Sequence, residues 1–229
     1  MNLIDIQQHG FAVFPEVLNQ IQIEKFREVA AQIEGEGISK RESVFAIRNL
    51  LDAPEIQELA RSKAVRDLIE PILGEGCFAV RGIFFDKTPD ANWKVVWHQD
   101  LSIAVQKKQE VEGFGPWSEK AGAVHAQPPR EVLENMLAIR IHLDDCDESN
   151  GALRVVSGSH LLGKLESTSM AQQTSEFETV PVPNGGAMLM RPLLLHASSP
   201  SQSPNHRRVI HLEFAGCELP DGVEWRWKV

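Results

Sequence analysis

A mainly β fold with helices on its N-terminal side is what the sequence predicts, and three observations carry that expectation. The first 75 residues hold two stretches of helical periodicity; the remainder breaks into short runs rich in Val, Ile, Leu and Phe; and Gly, Pro, Asn and Asp separate those runs. A chain of 229 residues fits one large domain, since barrels and sandwiches commonly reach ~200 to 250 residues undivided. We expect residues 1–229 to form that one domain, with 1–75 a mostly helical buttress and 76–217 the strand-rich core.

Taken in order, Ile23, Phe26, Ala30 and Ile33 repeat at helical spacing between Glu16 and Glu34, and Gly35 and Gly37 end the run. A second helix is expected from Ala53 to Leu73, where Pro54 suits the first turn and Ile56, Leu59, Ala60, Val65, Leu68, Ile69 and Ile72 share a face. Gly74 and Gly76 stop it. Strands are expected near Phe78 to Asp86, Lys94 to Val105, Met136 to Leu143, Gly151 to Val156, Glu178 to Val182, Ala187 to Arg191, Leu193 to His196 and Arg207 to Ala215. Residues 106–131 carry Gly113, Gly115, Pro116, Gly122, Pro128 and Pro129; too long and irregular for a tight connection, the segment is expected to be a lid loop.

Composition excludes several classes of function. The 23 basic against 32 acidic side chains give a net charge of −9 with no basic run, so nucleic acid is not an expected partner. Cys77, Cys146 and Cys217 are odd in number and without a C-x-x-C pair, so neither a disulfide framework nor a zinc ribbon is indicated, and a cytoplasmic location is expected. No leader-like apolar run follows Met1, and no stretch approaches the ~18 apolar residues of a spanning helix, so no membrane partner is expected either.

The chemistry is concentrated in His98-Gln99-Asp100. Residues i and i+2 of a strand point the same way about 6 to 7 Å apart, so this imidazole and carboxylate could hold one ion. His196 is a second candidate imidazole. Two histidines and a carboxylate leave the opposite face of an octahedral metal open, the arrangement of non-haem Fe(II) oxygenases. A triplet of this kind recurs by chance, but between it and His196 comes Asn150-Gly151-Ala152-Leu153-Arg154-Val155-Val156-Ser157-Gly158-Ser159-His160, followed by Gly163. Over about residues 40 to 217 the ordered set resembles the phytanoyl-CoA dioxygenase family of Fe(II)- and 2-oxoglutarate-dependent oxygenases, with Ser157 where that family usually has proline.

The resemblance implies a double-stranded β-helix (a cupin-like jelly roll) and an enzyme using Fe(II), 2-oxoglutarate and dioxygen. It makes His98, Asp100 and His196 the metal ligands. Arg207, eleven residues past His196, is then the partner of the far carboxylate of 2-oxoglutarate, whose two oxygens a guanidinium fork can meet in parallel. Arg208 is its rival, since strand alternation groups Arg208 with Ile210, Leu212 and Phe214, and Arg207 with Val209, His211 and Glu213; spacing favours Arg207. Ser198, Arg140, Arg48 and Ile83 match further positions near the co-substrate. Related halogenases replace the ligand carboxylate by a small residue, so Asp100 favours hydroxylation, desaturation or ring closure of a small organic molecule, with 2-oxoglutarate converted to succinate and CO2. Arg140 and Lys94 favour an anionic substrate. His142 shares a face with Arg140 and could line the pocket, as could Trp93, Trp97 and Trp117; His160 is expected to serve its turn and His125 to be a solvated loop residue. The alternative is a catalytically inactive metal-binding jelly roll acting as a small-molecule sensor.

Overall fold

The computed structural model describes residues 3–35, 45–88, 91–203 and 205–229. Helix α1 (Leu3–Gln8) leads into strand β1 (Phe11–Phe14), and α2 (Gln20–Gly35) follows. After β2 (Phe45–Ile47) come α3 (Pro54–Arg61) and α4 (Lys63–Leu73), two helices where one was expected. The break is Ser62, extended at φ −64° and ψ 149°, with its hydroxyl donating to the Leu59 carbonyl. Ser competes for backbone partners in this way more readily than a helix former would.

Strand β3 (Phe78–Lys87) is followed by β4 (Val95–His98) and β5 (Ile103–Val105), so the strand expected from Lys94 to Val105 is interrupted from Gln99 to Ser102. The segment expected to be an irregular lid contains a hairpin, β6 (Trp117–Lys120) and β7 (Ala123–Ala126), which joins β5 in a three-stranded sheet. Then come α5 (Arg130–Glu134), β8 (Met136–His142), β9 (Leu153–Val155), α6 (Ser167–Gln173), β10 (Glu178–Val180), β11 (Ala187–Met190), β12 (His196–Ser198) and β13 (Arg207–Ala215). Leu193 to Leu195, expected to be strand, form a turn ahead of β12.

Six antiparallel strands in the order β1-β11-β8-β13-β3-β2 make the large sheet, and β10-β9-β12-β4 make the smaller one. β1 and β2, from the region expected to be a helical buttress, form its two edges. The outer face of the large sheet is apolar: Leu137, Ile139, Ile141, Leu189, Ile210, Leu212 and Phe214 pack with Ile23, Phe26, Ile56, Leu59, Val65 and Ile69 of the helices. Each such side chain, fully buried, stabilises the fold by roughly 1.5–3 kcal/mol. Between the sheets, Ala138, Met188 and Met190 meet Leu153, Val155 and Val180, closing a mainly antiparallel jelly roll.

The inner face of the large sheet is mixed, and it carries the charged residues. Arg81, Ile83, Phe85 and Lys87 of β3 lie opposite Glu213, His211, Val209 and Arg207 of β13. On the far side of β13, His211 and Val209 face Arg140 and His142 of β8. The two-residue period of a strand therefore sends apolar residues to the helices and charged ones into the barrel.

Candidate metal centre

Backbone pairing brings the two imidazoles together. β12 pairs with β4 so that His196 lies directly opposite His98, and the ring centroids stand 4.1 Å apart. Asp100, just past the end of β4, is held by its amide, which donates to the Pro192 carbonyl at 2.8 Å. Its carboxylate reaches to 3.8 Å from His98 Nε2 and 3.7 Å from His196 Nε2. One ligand atom from each of the three residues lies within 4.8 Å of the other two.

Gln99 keeps this turn in place. Its buried amide donates to the carbonyls of Gly163 and Leu193, both at 2.7 Å, while its oxygen accepts from the Leu165 amide at 2.8 Å. The middle residue of the triplet thus anchors the chain so that its neighbours face the centre.

Tautomer and charge are set as well. His98 Nδ1 lies 2.9 Å from the Val96 carbonyl, and His196 Nδ1 lies 2.8 Å from that of Leu194. A carbonyl can only accept, so each Nδ1 carries the proton and each Nε2 is left bare toward Asp100, as a metal ligand must be. Burial and the neighbouring His98 push the His196 pKa down to about 3, so its ring is neutral at physiological pH. Burial alone would raise Asp100; the fields of His196, His98, His211 and Arg81 outweigh it and hold the carboxyl well below the usual range.

A cationic recess lies behind these residues. Arg207, 3 % exposed, donates through Nη1 to the Gly151 carbonyl at 2.7 Å. Ser198 Oγ donates to the same carbonyl at 2.8 Å and accepts from Lys87 Nζ at 2.7 Å. Arg140 Nη1 reaches His211 Nδ1 at 3.3 Å, and its guanidinium lies over the Phe85 ring. The Nε atoms of Arg140 and Arg207 are both buried without a partner. Among the described residues no carboxylate bonds to Lys87, Arg140 or Arg207. Burial first, then Arg207 and Arg140, brings the Lys87 pKa down to about 7.

The Asn150–His160 block builds this neighbourhood. Gly151 has φ +85°, and a Cβ there would come within 2.6 Å of the Ser199 carbonyl and 3.0 Å of Lys87 Nζ, so only glycine lets the two strands approach. Ser159 Oγ accepts from the Leu195 amide at 2.8 Å, fixing the residue before His196.

The sequence profile of the phytanoyl-CoA dioxygenase family matches residues 6–209. The chain belongs to that family. No curated protein sequence matches the chain. Among solved structures, the non-haem α-ketoglutarate-dependent epimerase SnoN of nogalamycin biosynthesis is similar at 17 % identity, over 93 % of this chain and 78 % of that one, with a TM-score of 0.72. AviO1 from Streptomyces viridochromogenes Tue57 shares 21 % identity over 95 % of both chains, TM-score 0.67. HygX from Streptomyces hygroscopicus, solved with nickel and 2-oxoglutarate, shares 16 % over 93 % of this chain and 85 % of its own, TM-score 0.67. At such identities the likeness is one of fold.

Within this phytanoyl-CoA dioxygenase fold, the expected site residues divide. His98, Asp100 and His196 meet. Arg207, Ser198 and Arg140 line the recess behind them, and Ile83, 4 % exposed, lies beside His211. Arg208 points the other way and binds Asp144 through two nitrogens, at 2.8 and 2.7 Å. Arg48 lies apart from Arg207, past β2, where its charge acts on Lys120 and His125. His125, expected to be solvated, is 3 % exposed and bonds the Ala123 carbonyl. Lys94 is exposed just ahead of β4, apart from the buried basic residues. His160 serves its turn, with Nε2 donating to the Gln7 carbonyl. His142 is buried on the inner face, two residues from Arg140. Trp93 lies near Lys87, whereas Trp97 packs on Phe177 and Trp117 on Phe114.

Sequence reasoning missed Lys87 and Gln99. The expected β3 strand stopped one residue short of Lys87; alternation from Arg81 through Ile83 and Phe85 would have placed it on the inner face.

Proposed function

We propose that this chain is an Fe(II)- and 2-oxoglutarate-dependent dioxygenase that hydroxylates a small organic molecule, converting 2-oxoglutarate to succinate and CO2. The observation that carries this reading is the convergence of His98, Asp100 and His196, with bare Nε2 atoms and an ionised carboxylate, in front of a recess holding the guanidinium groups of Arg140 and Arg207 and the Lys87 amine. The residues fit both groups. Two imidazole nitrogens and one carboxylate oxygen are the donor set of non-haem iron. Two buried guanidinium cations beside an amine whose pKa is about 7, with no acid among them, are costly unless an anion offsets them, and the unpartnered Nε atoms of Arg140 and Arg207 are donors in want of an acceptor. Solved structures of similar fold include SnoN with Fe3+ and α-ketoglutarate and HygX with nickel and 2-oxoglutarate.

When bound, iron with the co-substrate and dioxygen supplies the oxidant for an unactivated C–H bond. The chain's own residues do the rest. His98, Asp100 and His196 would hold the metal from one side, with both tautomers set by the Val96 and Leu194 carbonyls. Arg207, with Ser198 and Lys87, would fix the far carboxylate of 2-oxoglutarate. Arg140 would carry positive charge along its length, and Ile83 would shield it from water.

The test is succinate formation from 2-oxoglutarate by purified protein given Fe(II) and oxygen, together with metal binding by anaerobic calorimetry. Wild type should form succinate slowly without added substrate. Asp100→Ala should abolish that activity and weaken metal binding by more than the roughly 10- to 100-fold that loss of a partner behind a ligand costs. Metal affinity untouched by Asp100→Ala would overturn the assignment, and tight co-substrate binding with no succinate under any condition would make the chain a sensor.

A further inference from the structure

The inner face of the large sheet carries an unbroken chain of buried hydrogen bonds that the proposed reaction does not itself use. Arg140 Nη1 of β8 reaches His211 Nδ1 of β13 at 3.3 Å, and His211 Nε2 lies 3.2 Å from Glu213 Oε1. The same carboxylate oxygen accepts from Arg81 Nη1 of β3 at 3.0 Å. Arg81 Nη1 also donates to the Ser102 carbonyl at 2.9 Å. One end of the chain is therefore in the co-substrate recess, and the other is on the segment from Gln99 to Ser102 that carries Asp100.

The direction of each bond follows from the groups involved. A guanidinium only donates, so His211 Nδ1 is the acceptor and the ring proton sits on Nε2, aimed at Glu213. This is the reverse of His98 and His196, whose Nδ1 atoms carry the proton. The Phe85 ring meets the His211 ring edge-on, with centroids 6.1 Å apart, and the Arg140 guanidinium lies over the same ring. Glu213 balances Arg81, so Arg140 keeps its charge for an incoming anion.

Packing alone does not account for these residues. Glu213 is 4 % exposed, and Arg140 and His211 are buried with it. Ionised groups in such a place are costly, and apolar residues of similar volume often serve stability as well or better. The strand pairing is irregular at the same point: Glu213 faces Arg81 and Phe214 faces Ala79, so Val80 is passed over. An extra residue of this kind recurs next to active sites, where it re-aims a side chain. Arg81 is also near enough for its field to act on the Asp100 carboxyl.

We propose that Glu213 is a positioning residue for both halves of the centre: through Arg81 it fixes the segment that carries Asp100, and through the His211 proton it fixes the Arg140 guanidinium in the co-substrate recess. This rests on the oxygenase reading and adds to it a residue outside its ligand set.

The experiment uses the full chain and three readouts: calorimetric binding of Ni(II) to the metal-free protein, binding of 2-oxoglutarate to the Ni(II)-loaded protein, and the ring-nitrogen NMR signals of His211, assigned by their loss in His211→Gln. In wild type the His211 proton should be on Nε2. Arg81→Lys keeps the charge but is too short to span Glu213 and Ser102, so Ni(II) affinity should fall about tenfold or more, with a smaller change for 2-oxoglutarate. His211→Leu should do the converse, weakening 2-oxoglutarate about tenfold with a smaller change for Ni(II). His211→Gln offers Arg140 an oxygen and Glu213 an N–H, and should restore most of that loss. Glu213→Gln should weaken both ligands, each about threefold or more. That result is diagnostic for the co-substrate, because removal of a negative charge would by its field alone tighten the binding of a dianion. Should His211→Leu not fold, Glu213→Gln decides the Arg140 arm. Urea midpoints of all variants separate positioning from stability. A proton on His211 Nδ1, affinities that fall together in both Arg81→Lys and His211→Leu, tighter 2-oxoglutarate in Glu213→Gln, or midpoints that drop while both affinities hold would each overturn the proposal. If wild type binds Ni(II) and 2-oxoglutarate while any of these is found, the oxygenase reading stands and the positioning role alone fails. If it binds neither, both fail.

Discussion

Lys87 illustrates how one side chain alters a candidate site without touching His98, Asp100 or His196. It is wholly buried, its amine bonds Ser198 Oγ and the Ser199 carbonyl, and burial with Arg207 and Arg140 brings its pKa to about 7 from 10.5. Between those two values the unfolded chain holds a proton that the folded chain has lost. Stability from this group therefore rises with pH across that window, and its destabilising effect is complete below about 7. A carboxylate entering the recess favours the charged amine and raises its pKa again. Binding of 2-oxoglutarate to the metal-loaded protein near pH ~8 should accordingly take up a proton, at most about one per site. Calorimetry in two buffers of different ionisation enthalpy measures this uptake. It should vanish in Lys87→Met; absence of uptake in the wild type would show that the carboxylate settles elsewhere.

Among the elements, the β6–β7 hairpin shows a local conflict that the rest of the fold overrides. Its two turn residues, Ala121 at φ 51° and Gly122 at φ 71°, both have positive φ. A two-residue hairpin of this kind favours Asn-Gly, because a Cβ in the left-handed region crowds the following carbonyl. Ala121→Gly should therefore stabilise the protein by about 0.5 to 1 kcal/mol, the relief of strain exceeding the added entropy of the unfolded chain. The Asn49 bond is made to the Ala121 backbone and survives the change. Urea denaturation gives the answer: an unchanged or lower midpoint would mean that Ala121 is not under strain. Helices α3 and α4 are the converse case, where a uniform apolar period concealed a break because Ser62 offers the backbone a competing partner.

For the molecule as a whole, the large sheet divides its labour between two faces. Along β13, Ile210, Leu212 and Phe214 join the helices, while Arg207, His211 and Glu213 face the barrel interior with its charged partners. The helix layer is further tied to β13 by Asp144, which binds both Arg27 of α2 and Arg208. Since Leu212 is fully buried between sheet and helices, Leu212→Ala should cost about 2–5 kcal/mol in chemical denaturation. A loss below about 1 kcal/mol would mean that this packing does not hold the two layers together.

Family, fold class and the order of His98, Asp100 and His196 were determined by the sequence, because motif order and two-residue alternation are local properties that tertiary contacts do not rewrite. Strand β13 falls on Arg207–Ala215 as expected for the same reason. The geometry at the centre was decided elsewhere. His98 meets His196 only through strands 98 residues apart in sequence, and Asp100 is turned toward them by Pro192 and by the three hydrogen bonds of Gln99. The rivalry between Arg207 and Arg208 was open in the sequence because alternation separates two faces without saying which is inside. The apolar face looked like the interior, yet the helices cover it, and the mixed face that carries Arg207 lines the barrel. Lys87 shares that fate: a charge in a strand is ordinarily solvated, and only closure of the jelly roll buried this one beside Ser198 and Arg207.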